Sequence, residues 1–289
     1  MNEYQNKLLE MLSAEPKVIA MLAPSFVIDF PHPQTVGMLK KLGFEKVTEL
    51  TFGARMTNYW YKEYIEQNPD QKYFIASPCP IIVDFVEKQY PELKEYLIPY
   101  ASPMLAMSKI CKKNYPDYKI VFISPCQAKR VLEAVKYPEL INLVITFKEL
   151  GEILENQGIK AEDFTESEYP FDSFITERTK IYPISGGLAQ TSHVQNFFKP
   201  EEICVADEIK NIQPVLEDIK NSATPYRFID ILNCPGGCVG GPDIKNRDLP
   251  LAEKDKLVID YRNKSIKDYG DGREGKKEFV LDIDFHSKL

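Results

Sequence analysis

The sequence lacks long apolar runs and blocks of basic residues. None of its segments approaches the roughly 20 apolar residues that a membrane span needs, and its first 17 residues contain no basic region followed by an apolar one, as a secretory signal would. We therefore expect a cytoplasmic protein with no membrane partner. The net charge is −7, without a cluster of Lys or Arg. This charge argues against nucleic acid as a partner and favours small molecules or proteins with a basic patch.

The sequence also has few histidines and lacks the common nucleotide-binding motifs. The three histidines, His32, His193 and His286, are far apart in the sequence, and we expect each to lie at the surface or to cap a helix rather than to bind a metal. The sequence has no GxGxxG, no P-loop and no Ser, His and Asp arrangement typical of a hydrolase. Gly186 and Gly187 precede a helical pattern and could hold an anion, but a lone Gly-Gly is weak evidence for a nucleotide.

The length of 289 residues allows a full hydrophobic core and two lobes. Strand-like apolar runs alternate with helical patterns, which predicts α/β architecture. We expect two lobes, residues 1–135 and 136–289, each with a small, mostly parallel sheet flanked by helices. Residues 179–198 are predicted to form a strand, a glycine turn and a helix, and residues 158–178 the longest irregular connection. From residue 240 onward, polar residues and Pro predict an irregular, peripheral tail.

Four of the six cysteines lie where predicted strands end. Cys79, Cys126 and Cys234 each follow a β-rich run beside a proline, and Cys238 comes four residues after Cys234. Because the carboxyl ends of strands form the sites of open α/β sheets, these four thiols could converge. The other two, Cys111 and Cys204, are expected to be ordinary buried thiols.

The chemistry of four thiolates suits either a [4Fe–4S] cluster or a structural zinc ion. Only Cys234 and Cys238 are close in sequence. One close pair with two distant single cysteines favours a cluster held between the lobes, because structural zinc usually draws on two close pairs. Each turn taken alone is equally consistent with an ordinary buried cysteine.

The three cysteine turns resemble the active-site loops of the [FeFe]-hydrogenase catalytic domain. They read SPCP (77–80), SPCQAKR (124–130) and NCPGGCVGGP (233–242), in the order and approximate spacing of that family. The stretches APSF (23–26), LKKLGFEKV (39–47) and ISGGLAQT (184–191) are similar to further segments of the family. The resemblance covers residues 18–245.

The resemblance implies an H-cluster, in which a [4Fe–4S] cubane is joined through a cysteine sulfur to a diiron unit with CO, cyanide and a bridging azadithiolate. By position, the cubane ligands are Cys79, Cys126, Cys234 and Cys238, with Cys238 as the bridging thiolate. Lys129 matches the lysine that donates to one cyanide, and the segment Ala23-Pro24-Ser25 matches the one that binds the other. A solvated lysine in the first turn of a helix is the alternative for Lys129. The remaining positions expected to line the cofactor are Gly186, Gly187, Gln190, Ser124, Leu232 and Gly237.

Several residues depart from the family's pattern. Pro78 occupies the place of the cysteine that passes protons in the fast enzymes, and proline has no proton to transfer. Aromatic residues within 55–66 and Gln190 stand where relay acids are usual, and Ser124 and Leu232 replace methionines. Losing a general acid costs about 10²- to 10⁴-fold in rate, so we expect slow turnover, as in the sensory groups that also lack this cysteine. Lys62, Glu63, Glu66 and Cys111 are alternative proton carriers, but each is expected at the surface or in the core.

Two functions follow from the resemblance. The first is slow, reversible interconversion of H₂ with protons and electrons, with a role in H₂ sensing. Its partner would be an external electron carrier such as ferredoxin, or a signalling protein, because two remaining cysteines are too few for an accessory cluster. The second is an iron–sulfur protein that keeps only the cubane and acts in assembly or interaction, like the nuclear prelamin-recognition-factor-like relatives.

Overall fold

The computed structural model describes residues 1–14, 17–165, 170–172, 176–270 and 280–287. The helices in these ranges are α1 (Glu3–Ala14), α2 (Gln34–Leu42), α3 (Thr51–Gln67), α4 (Pro80–Gln89), α5 (Pro103–Asn114), α6 (Phe147–Asn156), α7 (Gly187–Thr191), α8 (Ile209–Lys220) and α9 (Leu251–Tyr269). The strands are β1 (Val18–Leu22), β2 (Lys46–Glu49), β3 (Phe74–Ile75), β4 (Lys119–Ser124), β5 (Leu143–Thr146), β6 (Ile203–Asp207) and β7 (Phe228–Leu232). Their alternation confirms the predicted α/β class. In the described part of the chain, no helix combines the length and the apolar character that crossing a bilayer requires.

Four parallel strands form the first sheet, in the order β2-β1-β4-β5. β1 pairs with β4 on one edge and with β2 on the other. All five residues of β1 are buried, as is usual for central strands of parallel sheets. From the central strand β1, the chain continues to β2 on one side of the sheet, and it then returns to form β4 on the other side. The carboxyl ends of β1 and β4 therefore border the crevice in which such sheets bind ligands.

Three parallel strands form the second sheet, in the order β3-β7-β6. The central strand β7 is buried along its whole length. It pairs with β3 only through Phe74 and Ile75, and with all five residues of β6. A separate apolar cluster packs on this sheet and includes Ile82 and Ile212. Two small parallel sheets flanked by helices are thus the architecture predicted from the sequence.

The strands of each sheet do not follow the expected division of the chain at residue 135. β3 precedes that position but pairs with β7 in the second sheet, and β5 follows it but pairs with β4 in the first. Parallel strands are joined by long crossover connections. Strands that are consecutive in the chain therefore need not be neighbours in the same sheet. The chain therefore crosses from one sheet to the other more than once.

The segment 179–198 contains no strand, contrary to the prediction. Arg178–Ile181 is a 3₁₀ turn, followed by Gly186 in the left-handed region (φ 78°) and by the short helix α7. Ile181 and Tyr182 are buried, but Pro183 follows directly and has no N–H to give to a strand ladder. Of the predicted irregular connection 158–178, the described part contains the 3₁₀ turn Ala161–Asp163. Residues 166–169 and 173–175 lie outside the described residues.

The predicted irregular tail instead contains the longest helix of the described chain, α9, with 19 residues. Its buried residues are Lys254, Val258, Tyr261 and Ser265, a spacing of three to four that places them on one face. This face packs against the 3₁₀ turns Pro24–Ile28 and Arg178–Ile181. α9 therefore covers the segment that follows β1. Residues 271–279 and 288–289 of the predicted tail lie outside the described residues.

Candidate metal centre

The four singled-out cysteines follow three strands of the two sheets. Cys79 comes after β3 and precedes α4, which starts with Pro80, a favoured first helical residue because its missing N–H is not needed there. Cys126 follows β4, and Cys234 and Cys238 follow β7. All four are partly exposed free thiols, whereas Cys111 and Cys204 are buried, as expected.

A cavity of about 90 Å³ lies where these strand ends meet, and all four cysteines line it. Its walls are mostly apolar, with contributions from Leu50, Met104 and Phe122. Eight further residues singled out from the sequence also line it, namely Ala23, Pro24, Ser25, Pro78, Ser124, Lys129, Leu232 and Gly237. The structure therefore brings most of the predicted site residues into one enclosure, from both sheets.

The cysteines surround the cavity instead of meeting at one point. Among the described residues, no three His, Cys, Asp or Glu side chains are placed to hold a single metal ion. A zinc ion needs sulfur ligands about 2.3 Å away on all sides, whereas a cubane places its cysteine sulfurs around a larger body. The arrangement thus agrees with the cluster, which the cysteine spacing also favoured over a zinc ion.

The thiols are strongly affected by burial and by one another. Burial, and next the nearby Cys126 and Cys79, raise the pKa of Cys234 to about 12. Burial also raises the pKa of Cys126 and, more strongly, that of Cys238. These cysteines are therefore protonated at neutral pH, and iron must displace the protons as it binds.

The third cysteine loop is closed by a glycine that no other residue can replace. Gly237 has φ of 91°, and a Cβ on it would lie 2.6 Å from the carbonyl oxygen of Pro183. Its N–H donates to the carbonyl oxygen of Cys234 across 2.9 Å. The glycine therefore permits the tight turn between Cys234 and Cys238 and the close approach of the neighbouring backbone.

Lys129 is held at the cavity by two acceptors. It begins a π-helical turn, Lys129–Glu133, and its Nζ donates to the carbonyl oxygen of Pro78 across 2.8 Å and to Glu133 Oε2 across 2.5 Å. Only 15 % of its side chain is exposed. Lys129 is therefore not the solvated surface lysine that the sequence left as an alternative, and it presents a cation to the cavity.

Ser25 presents a polar atom with no partner to the same cavity. The residue is fully buried, and its Oγ has no hydrogen-bond partner among the described residues. A buried hydroxyl in this state costs about 1 to 3 kcal/mol, so it marks a place where a ligand atom can be bound. Its 3₁₀ turn is held by α9, because the rings of Phe26 and Tyr261 pack edge to face at 5.6 Å.

Comparison with known proteins agrees with this geometry. The family described as "Iron only hydrogenase large subunit, C-terminal domain" matches residues 16–242. The chain belongs to this hydrogenase family. The curated relatives include the Nuclear prelamin A recognition factor of Xenopus laevis, 23 % identical over 81 % of this chain and 64 % of that protein. Iron hydrogenase 1 of Clostridium pasteurianum is 26 % identical over 76 % of this chain and 47 % of that protein. The chain thus spans less than two thirds of the length of either relative.

Solved hydrogenase structures share the fold. A single-residue variant of the [FeFe]-hydrogenase HydA1 from Chlamydomonas reinhardtii superposes with a TM-score of 0.72 at 18 % identity, over 99 % of this chain and 98 % of that one. The shared fold therefore covers 99 % of this chain, and α9 is a described part of the tail that the sequence left irregular.

Three predicted cofactor positions of this hydrogenase-family chain do not line the cavity: Gly186, Gly187 and Gln190. Gln190 is exposed, and a Cβ on Gly187 would lie 2.1 Å from the carbonyl oxygen of Ile181. The two glycines therefore serve the turn into α7. Of the alternative proton carriers, Lys62 and Glu66 form an exposed ion pair at 3.6 Å, and Cys111 is buried.

Sequence reasoning missed three groups beside the cavity. Glu133 pairs with Lys129, and its position four residues later on a helical segment was the available signal. Tyr182 lines the cavity, and burial holds its pKa well above the usual value. Tyr61 is buried in α3 and is 2.9 Å from Ser77 Oγ. The sequence of α3 gave no sign of this last contact, because Tyr61 is one of several aromatic residues in that helix.

Proposed function

We propose that this chain holds an H-cluster in the cavity and interconverts H₂ with protons and electrons at a low rate. One observation carries the proposal: the cation of Lys129 and the unpartnered hydroxyl of Ser25 line the same cavity as the four cysteines. A cubane alone needs only the thiols. A lysine ammonium and a buried hydroxyl are in addition suited to bind anionic cyanide ligands.

The residues present fit both parts of the cofactor. Cys79, Cys126, Cys234 and Cys238 would bind the cubane, and Cys238 would also help to hold the diiron unit. Lys129 and Ser25 would each donate a hydrogen bond to a cyanide, with Ala23 and Pro24 positioning Ser25. When bound, the cofactor supplies the redox chemistry of H₂. The apolar walls around it exclude water, which strengthens the charge-assisted contact of Lys129.

Proton supply is the reason to propose slow turnover. Pro78 lies at the cavity in the place of the family's proton-carrying cysteine, and it offers only a carbonyl acceptor. Without a group of matched pKa at this point, proton transfer is slower by about 10² to 10⁴. A slow enzyme of this kind suits H₂ sensing. Its partner would be ferredoxin or a signalling protein, reached through the four cavity cysteines, which are all partly exposed.

Reconstitution tests the proposal. The cubane is assembled from iron and sulfide, a synthetic diiron unit is added, and the infrared spectrum and the H₂ turnover are measured. We expect CO and cyanide bands together with low but measurable activity. A loaded cubane without these bands would refute the hydrogenase function.

A second function is favoured by the relatives. Relatives named for iron–sulfur assembly, such as the Cytosolic Fe-S cluster assembly factor narfl of Xenopus tropicalis, match this chain at 23 % identity. On this alternative the chain keeps the cubane alone and acts in assembly or interaction. It predicts bound iron and sulfide without CO or cyanide bands, and transfer of the cluster to an apo-protein acceptor.

A further inference from the structure

A second cavity lies beside the first. It has a volume of about 230 Å³ and contains polar side chains from Ser77, Asp84, Ser102 and Glu133. Pro80 lines both cavities, so the two are separated by little more than the start of α4 and the π-helical turn. The second cavity is larger and more polar than the first, and it has room for water.

One ion pair connects the two cavities. Lys129 lines the first and Glu133 lines the second, and their Nζ and Oε2 atoms are 2.5 Å apart. Both side chains are largely buried, at 15 % and 11 % exposure. The π-helical turn that carries them places Lys129 and Glu133 on the same side, and such turns are frequent at functional sites.

We propose that Glu133 is the proton-transfer residue of this chain and replaces the missing cysteine by passing protons between water in the second cavity and Lys129. The inference rests on the proposed function. In the direction of H₂ formation, the Lys129 ammonium gives a proton to an acceptor in the first cavity and becomes an amine. The Glu133 carboxylate takes a proton from hydronium in the second cavity and hands it to that amine. One proton has then crossed, and both residues have regained their charges. H₂ oxidation runs the same transfers in reverse.

Other groups near Glu133 are less suited to this role. Tyr61 is close enough to interact electrostatically with Glu133, but its hydroxyl is occupied with the N–H and Oγ of Ser77. Asp84 in the second cavity pairs with Lys88 at 2.8 Å. Lys136 and Tyr137 also line that cavity, but neither carries a carboxylate. Glu133 is the carboxylate of the second cavity that contacts a residue of the first.

The test compares variants of the loaded protein by exchange of H₂ with D₂O and by infrared spectroscopy. Glu133→Gln keeps the size and the hydrogen-bond acceptor but cannot carry a proton. We expect it to keep CO and cyanide bands at wild-type positions while exchange falls about 10²-fold. Glu155→Gln is the matched control, because Glu155 forms an exposed ion pair with Lys245 at the same 2.5 Å separation. It should exchange at the wild-type rate.

Four results would overturn the inference. Wild-type exchange in Glu133→Gln excludes the relay, and shifted cyanide bands in that variant show that Glu133 only orients Lys129. If Glu133→Gln does not load, Glu133→Ala decides: slower exchange with unshifted bands, restored by added acetate, supports the relay, and a wild-type rate without acetate refutes it. If the wild-type protein shows no CO or cyanide bands, the proposed function itself fails, and the relay fails with it.

Discussion

The ammonium group of Lys129 donates a hydrogen bond to the carbonyl oxygen of Pro78 across 2.8 Å. This contact joins the first cysteine loop to the second at the wall of the cavity. The acceptor is the backbone carbonyl oxygen of residue 78, so any amino acid at this position can accept the hydrogen bond. The side chain of Pro78 can therefore be changed without removing the contact that holds Lys129.

Pro78→Cys should raise H₂ turnover by at least about tenfold if the diiron unit binds, because the new thiol adds a proton carrier at the cavity wall. The rate is measured on loaded protein at equal diiron content. Pro78→Ala is the control, since it removes the proline ring without adding a thiol. If both variants match the wild type, protons do not enter at this position.

Each of the four cavity cysteines should be needed for iron binding. Cys234→Ser removes one ligand of the cubane, so reconstitution should give less iron and a less stable cluster. Iron and acid-labile sulfide are quantified per chain. Cys204→Ser changes a buried cysteine in β6 that does not line the cavity and should retain wild-type iron. Equal iron in both variants would contradict the ligand assignment.

Asp230 should make stability fall as pH rises. Burial raises the pKa of Asp230 from 3.8 to about 6. Between these values the folded chain keeps a proton that the unfolded chain loses, so the free energy of unfolding decreases through this window. Asp230→Asn keeps an acceptor for the N–H of Ala189 and removes the titration. At pH 7 it should be about 1 to 3 kcal/mol more stable than the wild type.

Urea unfolding of the metal-free protein at several pH values checks the Asp230 prediction. The difference in the free energy of unfolding between Asp230→Asn and the wild type should shrink below pH 4. There Asp230 takes up a proton in both the folded and the unfolded wild type. Asp260→Asn, at an exposed pair with Lys256, should change stability by less than about 0.5 kcal/mol. A constant difference at every pH would contradict the assigned titration.

The buried pair of Lys180 and Glu49 should stabilise the contact of α9 with the site. The Nζ of Lys180 contacts Glu49 Oε2 and the hydroxyl of Tyr261, and both charged side chains are almost fully buried. Lys180→Met leaves a buried carboxylate without its cation and should cost about 3 to 5 kcal/mol. The double variant Lys180→Met/Glu49→Gln should lose less than the single one. A larger loss in the double variant would refute this reading.

The cysteine site was predictable because its signals are local. A strand end, a proline and a cysteine in adjacent positions place the thiol at a sheet edge without knowledge of the partner strands. The strand partners themselves were not predictable. β3 contributes only Phe74 and Ile75 to its sheet, and so short a pairing depends on packing against β7 over a long sequence separation.

Two features of the structure could not be predicted from the local sequence. α9 is polar overall, and its core contacts rest on Lys254, Val258, Tyr261 and Ser265, of which only Val258 is an aliphatic residue. The spacing of four residues allowed a contact between Lys129 and Glu133, but the π-helical turn in which it forms is not predicted by local propensity. In both cases tertiary packing decided the structure.

Infrared spectra of the loaded wild type, Lys129→Met and Ser25→Ala test most directly whether the cavity binds a diiron unit through both residues. The wild type should show CO and cyanide bands, and each variant should shift a cyanide band, because each removes one hydrogen-bond donor. A protein with a full cubane and no such bands, or bands that neither variant shifts, would contradict this assignment.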